Sequence, residues 1–145
     1  MCPGDLSATT TVLIVDDDPA IQNMLSIILQ RRGYCALAAG TAADGLALLA
    51  EHQPELILMD YQLPDRDGLS LLLEIKAHYP SCYVIMATGR GNEELAVELM
   101  KAGASEYLLK PFDTRVLADR IEGVLKLREI ELANQALQAE REHLL

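Results

Sequence analysis

Apolar and polar positions along the chain follow two alternating rhythms. Four short runs are continuously apolar: Val12-Leu13-Ile14-Val15, Leu56-Ile57-Leu58-Met59, Val84-Ile85-Met86-Ala87 and Tyr107-Leu108-Leu109. Runs this short, bounded by polar residues, predict strands buried on both faces, as in a parallel sheet. Between them, apolar residues recur at helical spacing: Ile21, Leu25, Ile28 and Leu29; Leu46, Leu49 and Ala50; Leu69, Leu72, Leu73 and Ile75; Leu95, Val97, Leu99 and Met100. A further strand over Tyr34 to Ala38 follows Gly33, which stands where a helix C-terminus takes a residue tolerant of the left-handed conformation. Five strand-helix repeats predict a doubly wound α/β sandwich, with right-handed crossovers laying helices on both faces of a five-stranded parallel sheet.

Helix boundaries are marked locally. Asp18-Pro19 reads as an N-cap with proline at the first helical position, where its missing amide hydrogen costs nothing. Thr41 is a capping candidate, with Asp44 available to reach back as a variant capping box. Gly103 marks a helix stop before the last strand. From about Thr114 the chain reads as one helix to Leu145, with no proline and Gly123 its only glycine. A helix of about 30 residues is roughly 45 Å long against a domain about 35 Å across, so its last turns must project. There Ile130, Ala133, Leu137 and Leu144 fall on a coiled-coil seam that Glu140 interrupts. The seam covers only about two heptads, and a solvated tail is the plainer alternative.

Composition narrows the choices. The 145 residues suit one domain with an appendage. A formal net charge of −10, from 22 acidic and 12 basic residues, argues against a direct grip on nucleic acid. Cys2, Cys35 and Cys82 are odd in number and widely spaced, which disfavours a disulfide framework and a zinc site and fits a reducing, cytoplasmic setting. No apolar stretch approaches the length of a membrane span, and no basic-then-apolar leader opens the chain.

The four apolar runs end on residues with chemistry: Asp16-Asp17, Asp60, Thr88 and Lys110. In an open parallel sheet the carboxyl ends of the strands border the ligand crevice, so these residues should converge. Asp16, Asp17 and Asp60 would crowd three carboxylates together, and such crowding raises pKa values unless a cation neutralises it. Oxygen-only ligands select a hard ion, and Mg²⁺ suits a few carboxylates, a carbonyl and waters. Lys110 offers a point charge and Thr88 a hydroxyl donor, the set that stabilises a phosphoryl group in transfer. Asp60 is then the candidate nucleophile, since aspartate can form an acyl phosphate. Taken singly, an acidic pair before a helix, an aspartate after a strand and a Lys-Pro turn are ordinary structural features. Their coincidence at four strand ends has no structural need behind it.

Val12-Leu13-Ile14-Val15-Asp16-Asp17-Asp18-Pro19, the stretch from Leu56 through Asp60 and Pro64 to Gly68, Met86-Ala87-Thr88-Gly89, and Gly103 to Phe112 with Lys110-Pro111 together resemble the receiver domain of two-component response regulators. The resemblance covers roughly Thr11 to Leu127. It implies the flavodoxin-like receiver fold, with residues 1–10 as a flexible N-terminus, 11–127 as the receiver domain and 128–145 as a helical, possible coiled-coil linker. It implies Asp60 as phosphoacceptor, Asp16, Asp17, Asp60 and the backbone carbonyl of Gln62 as ligands of Mg²⁺ or Mn²⁺, and Thr88 and Lys110 as contacts of the phosphoryl oxygens. It also implies a cis Lys110-Pro111 bond and a switch in which Thr88 moves toward the phosphoryl group and Tyr107 swings inward. The phosphodonor would be a phosphohistidine of a sensor kinase or phosphotransfer protein.

Gln62 and Arg90 match positions bordering the path of the attacking water. Tyr61 and Arg66 read as recognition or solubility residues, and His52, His78 and His143 as surface histidines. Three other classes compete with the switch. A haloacid-dehalogenase-like phosphatase needs a second Asp two residues after the nucleophile, where this chain has Gln62. A phosphorylation-independent interaction or dimerisation module usually lacks one of the site residues, and here all are present. Gly89-Arg90-Gly91 is no dinucleotide fingerprint. The output is not written in this stretch: a complete chain would act through protein contacts, while the seam's abrupt end at Leu145 points to a fragment whose helix after Leu125 begins a signalling linker to an effector, able to carry the signal through a homodimer of that helix.

Overall fold

The computed structural model describes residues 10–89 and 91–144. The N-terminal expectation for residues 1–10, Thr10 apart, and the reading of Arg90 fall outside the described residues, as does the His143 side chain. Elements alternate without exception: β1 (Thr11–Val15), α1 (Pro19–Arg31), β2 (Cys35–Ala39), α2 (Ala42–His52), β3 (Leu56–Asp60), α3 (Gly68–His78), β4 (Tyr83–Thr88), α4 (Glu93–Lys101), β5 (Glu106–Leu109) and α5 (Thr114–Leu144). The sheet is parallel throughout, in the order β2-β1-β3-β4-β5. This is the five-stranded, doubly wound, flavodoxin-like fold expected from the sequence, with an extended C-terminal helix.

Why these segments take these forms is local chemistry. The three central strands β1, β3 and β4 are almost wholly buried, which is what a continuous apolar run between two helical layers requires. Asp18 caps α1, accepting from the Ala20 amide, with Pro19 at the first helical position. Thr41 caps α2 through the Asp44 amide, Asp67 caps α3 through Ser70, and Asn92 caps α4 through Leu95. Gly33 and Gly103 close α1 and α4 at φ 84° and 113°, where a side chain would be strained. Gln53 ends α2 in the same left-handed region, φ 48°, at a place the sequence does not announce.

Side-chain alternation along the strands splits the core in two. Leu13, Val15, Ile57, Met59, Val84 and Met86 face α2, α3 and α4. Val12, Ile14, Leu56, Leu58 and Ile85 face α1 and α5, meeting Leu25, Leu29, Leu117, Ile121 and Val124. Past Leu125, α5 runs out of core. Arg128 still donates from Nε to the Ser81 carbonyl at 2.8 Å, but Leu127, Ile130 and Leu137 are about half exposed, at 45%, 50% and 54%.

One sequence expectation is corrected. Cys35 is disulfide-bonded, whereas the odd number and wide spacing of the cysteines disfavoured a disulfide framework. Cys35 opens β2, in register with Thr11 of β1. Cys82 is a free, buried thiol, and burial pushes its pKa up to about 12. No helix among the described residues is long and apolar enough to cross a membrane.

Candidate functional site

The strand order reverses direction between β1 and β3, and a crevice opens beyond their carboxyl ends at such a switch point. Asp16 follows β1 directly and Asp60 is the last residue of β3. Both are buried, at 3% and 8% exposure, while Asp17 faces outward. The three carboxylates have oxygens within 4.8 Å of one another. Beneath Asp16 and Asp60 lies an apolar floor of Leu25, Leu58, Ile85, Leu108 and Phe112.

Each oxygen of the two buried carboxylates has a partner. Asp16 Oδ1 accepts from the Asp18 amide at 2.9 Å, and Oδ2 accepts from Lys110 Nζ at 2.6 Å. Asp60 Oδ1 accepts from the Gln62 amide at 3.1 Å, and Oδ2 accepts from the same Lys110 Nζ at 3.1 Å. Lys110 therefore bridges the two buried acids. It is aimed there by the turn after β5, where its amide donates to the Thr88 carbonyl at 2.9 Å and the Lys110-Pro111 peptide is cis.

Burial raises the pKa of Asp60, and the nearby charge of Asp16 adds to that rise. The Gln62 amide and Lys110 oppose it without cancelling it. For Lys110, burial acts downward, but the hydrogen bonds and charges of Asp16 and Asp60 outweigh it and hold the ammonium above its ordinary value. The crevice is thus an acidic site with its own internal counter-cation.

Alternation sorts the residues expected from sequence into two sets. Asp16, Asp60 and Lys110 continue the α1/α5 face, in step with Ile14, Leu58 and Leu108, and the structure brings them together. Thr88 and Tyr107 continue the opposite face, in step with Met86. Thr88 is fully buried at the end of β4, one residue beyond the Asp60–Ala87 pair. Tyr107 is half-buried against the α2/α3/α4 core. Gln62 sits beside Asp60 through its amide. His52 and His78 are exposed, as expected.

Two supporting residues escaped the sequence reading. Gln22 in α1 donates from Nε2 to the Asp16 carbonyl at 2.5 Å. Asp65, in the loop after β3, accepts from the Ala42 and Ala43 amides at 2.8 and 3.0 Å. No local pattern announces either, because both contacts join different elements.

Hard-ion chemistry fits this donor set: three carboxylates within reach of one another, a neighbouring peptide and, among the described residues, no sulfur or imidazole in the cluster. Fold and site together define a flavodoxin-like α/β domain with an acidic crevice at its switch point. Comparison with known proteins gives the family. The family described as response regulator receiver domain matches residues 12–122, and the chain belongs to that family, whose members are receivers of two-component signalling.

Among its relatives, the Regulatory protein AtoC of Escherichia coli (strain K12) is 34% identical over 136 residues, 91% of this chain and 30% of that protein. The Chemotaxis protein CheY of Halobacterium salinarum is 36% identical over 114 residues, 79% of this chain and 95% of that protein. The crystal structure of a CheY-like receiver domain protein from Methanospirillum hungatei JF-1 superposes with a TM-score of 0.82 at 37% identity, covering 86% of this chain and 99% of that one. The chain thus spans about a third of the first of these relatives and nearly all of the second.

Proposed function

We propose that this domain is a phosphorylation-controlled switch in which Asp60 accepts a phosphoryl group from a phosphohistidine of a sensor kinase or phosphotransfer protein. A carboxylate oxygen of Asp60 attacks phosphorus, the P–O bond forms as the P–N bond breaks, and the departing imidazole takes its proton from solvent. Asp16, Asp17, Asp60 and the Gln62 carbonyl would hold Mg²⁺ or Mn²⁺, which would supply positive charge to the phosphoryl oxygens. Lys110 exchanges its bonds to the two carboxylates for bonds to the new anion. The Thr88 hydroxyl donates to the same group, and Tyr107, on the same face, follows it inward.

Mutual geometry carries this reading: one lysine ammonium reaches both buried carboxylates, at 2.6 and 3.1 Å, inside a cluster that includes a third. A buried acid with a perturbed pKa beside a cation in a crevice marks a functional-site candidate, and the Lys110 ammonium and the Gln62 amide favour its ionised, nucleophilic form. Such a modification is a local change of charge that biases two conformations of one fold, which is how a switch differs from an independent enzyme.

In this reading residues 11–127 form the receiver and 128–145 a helical linker able to pair with a second copy. The working compartment is the cytoplasm, where the kinases reside. Within this stretch, a net charge of −10 disfavours a direct grip on nucleic acid.

The test is mass measurement of the intact chain after incubation with MgCl₂ and acetyl phosphate or phosphoramidate. One acid-labile phosphoryl adduct is expected, absent with EDTA and absent in Asp60→Asn. An adduct that survives in Asp60→Asn, or none in the parent chain, refutes the assignment.

A further inference from the structure

The first turn of any α-helix leaves backbone amides without intrahelical partners. In α2 these are accounted for one by one. The Asp44 amide donates to the Thr41 hydroxyl at 3.1 Å, the ordinary N-cap. The Ala42 and Ala43 amides donate instead to the two oxygens of Asp65, at 2.8 and 3.0 Å, from 23 and 22 residues away. A carboxylate straddling two amides at the positive end of a helix is an anion held by a ready-made site. These same two amides hold the Asp65 carboxyl below its ordinary pKa.

Asp65 lies three residues after Gln62, on the loop joining β3 to α3. The base of that loop is closed by the Gly68 amide on the Tyr61 carbonyl at 2.6 Å and by the bridge between Gln62 and Asp67. Its far end is tied to α3, through Asp67 on the Ser70 amide and Arg66 on Glu74 and Ser70. Asp65 ties its crest to α2. The loop is therefore tied to two helices, at Asp65 and at Arg66 and Asp67, on the stretch that follows the Gln62 peptide. Engaged this way, Asp65 stays out of the carboxylate cluster, which comprises Asp16, Asp17 and Asp60.

We infer that Asp65 is a positioning residue: by docking on the N-terminus of α2 it fixes the loop that presents the Gln62 carbonyl, and so sets how tightly the crevice holds Mg²⁺. The inference rests on the reading of Gln62 as a ligand given above. Losing a group that orients a ligand typically weakens metal affinity by roughly 10–100-fold.

Calorimetric titration of the full chain with MgCl₂, together with amide exchange at Ala42 and Ala43 in the metal-free protein, tests it. Asp65→Ala is expected to weaken Mg²⁺ binding about tenfold, the lower end for an outer partner, and to speed exchange at both amides. Asp65→Asn, keeping one acceptor oxygen, should fall between, and it carries the test if the alanine variant does not fold. Thr41→Ala removes the neighbouring cap without touching the loop. It should lower the melting temperature comparably while keeping the parent affinity.

Parent-like affinity in Asp65→Ala, or an equal loss in Thr41→Ala, overturns the inference while leaving the functional reading intact. A parent chain that binds no Mg²⁺ overturns that reading, and this inference with it.

Discussion

Asp60 is an acid placed where its charge is unwelcome, over an apolar floor and beside Asp16, and the result is a pKa above its ordinary 3.8. A raised pKa means that folding favours the protonated form. The corresponding stability is fully present below 3.8 and is lost as pH rises through the folded-state value. Asp60→Asn cannot ionise, so in EDTA at pH 7 it should melt higher than the parent chain, and the gap should close as pH falls below the ordinary value. An unchanged gap across that window would argue against charge strain at Asp60. Gly68 is a second sensitive position. A methyl group there would lie 2.7 Å from the Tyr61 Cα and 3.0 Å from the Asp60 carbonyl oxygen, both backbone atoms. Gly68→Ala should destabilise by about 1–3 kcal/mol, the usual effect of overpacking, and denaturant unfolding would measure it. Asp16, Asp17, Asp60, Thr88 and Lys110 were legible in the sequence because each follows an apolar run that names its own strand. Gln22 and Asp65 were not, since the groups they hold belong to other elements, and no spacing rule reports a contact over 23 residues.

Among the elements, the strands were legible because burial on both faces leaves an unbroken apolar signature. The starts of α1 and α2 were legible because Asp18 and Thr41 cap locally. The left-handed Gln53 and the pairing of Cys35 were not, because the first needs the geometry of the turn and the second a contact that linear spacing does not report. Helix α5 shows why pattern alone leaves a question open. It turns Leu117, Ile121 and Val124 into the core, then exposes Leu127, Ile130 and Leu137 at spacings of three and seven. Those spacings place the exposed side chains along one stripe, which a second copy of the helix could cover. Sedimentation at several concentrations should show the full chain associating and a chain cut after Arg128 remaining monomeric. Ile130→Glu should behave like the cut chain. Monomers throughout would remove the linker helix from the account of dimerisation.

For the whole molecule, the fold places every proposed acting group at one end of the sheet and sends the long helix away from it. Faces of the sheet divide the work: the α1/α5 side holds the acids and the lysine, and the α2/α3/α4 side holds Thr88 and Tyr107. In the proposed switch, a charge added at Asp60 would act on the first set directly and on the second through the strand ends. The relatives show that receivers of this kind occur both as nearly whole proteins and as part of longer ones, with coverage of 95% in one case and 30% in another. The central claim is that Asp60 itself carries the phosphoryl group. Borohydride reduces an acyl phosphate to the alcohol with release of phosphate, so it marks the acceptor permanently. Treating the chain with MgCl₂ and acetyl phosphate, then with borohydride, and sequencing its peptides by mass should find homoserine at position 60, dependent on both additions. Homoserine at another aspartate, or an unaltered Asp60 in a chain that gained phosphate, would contradict the account.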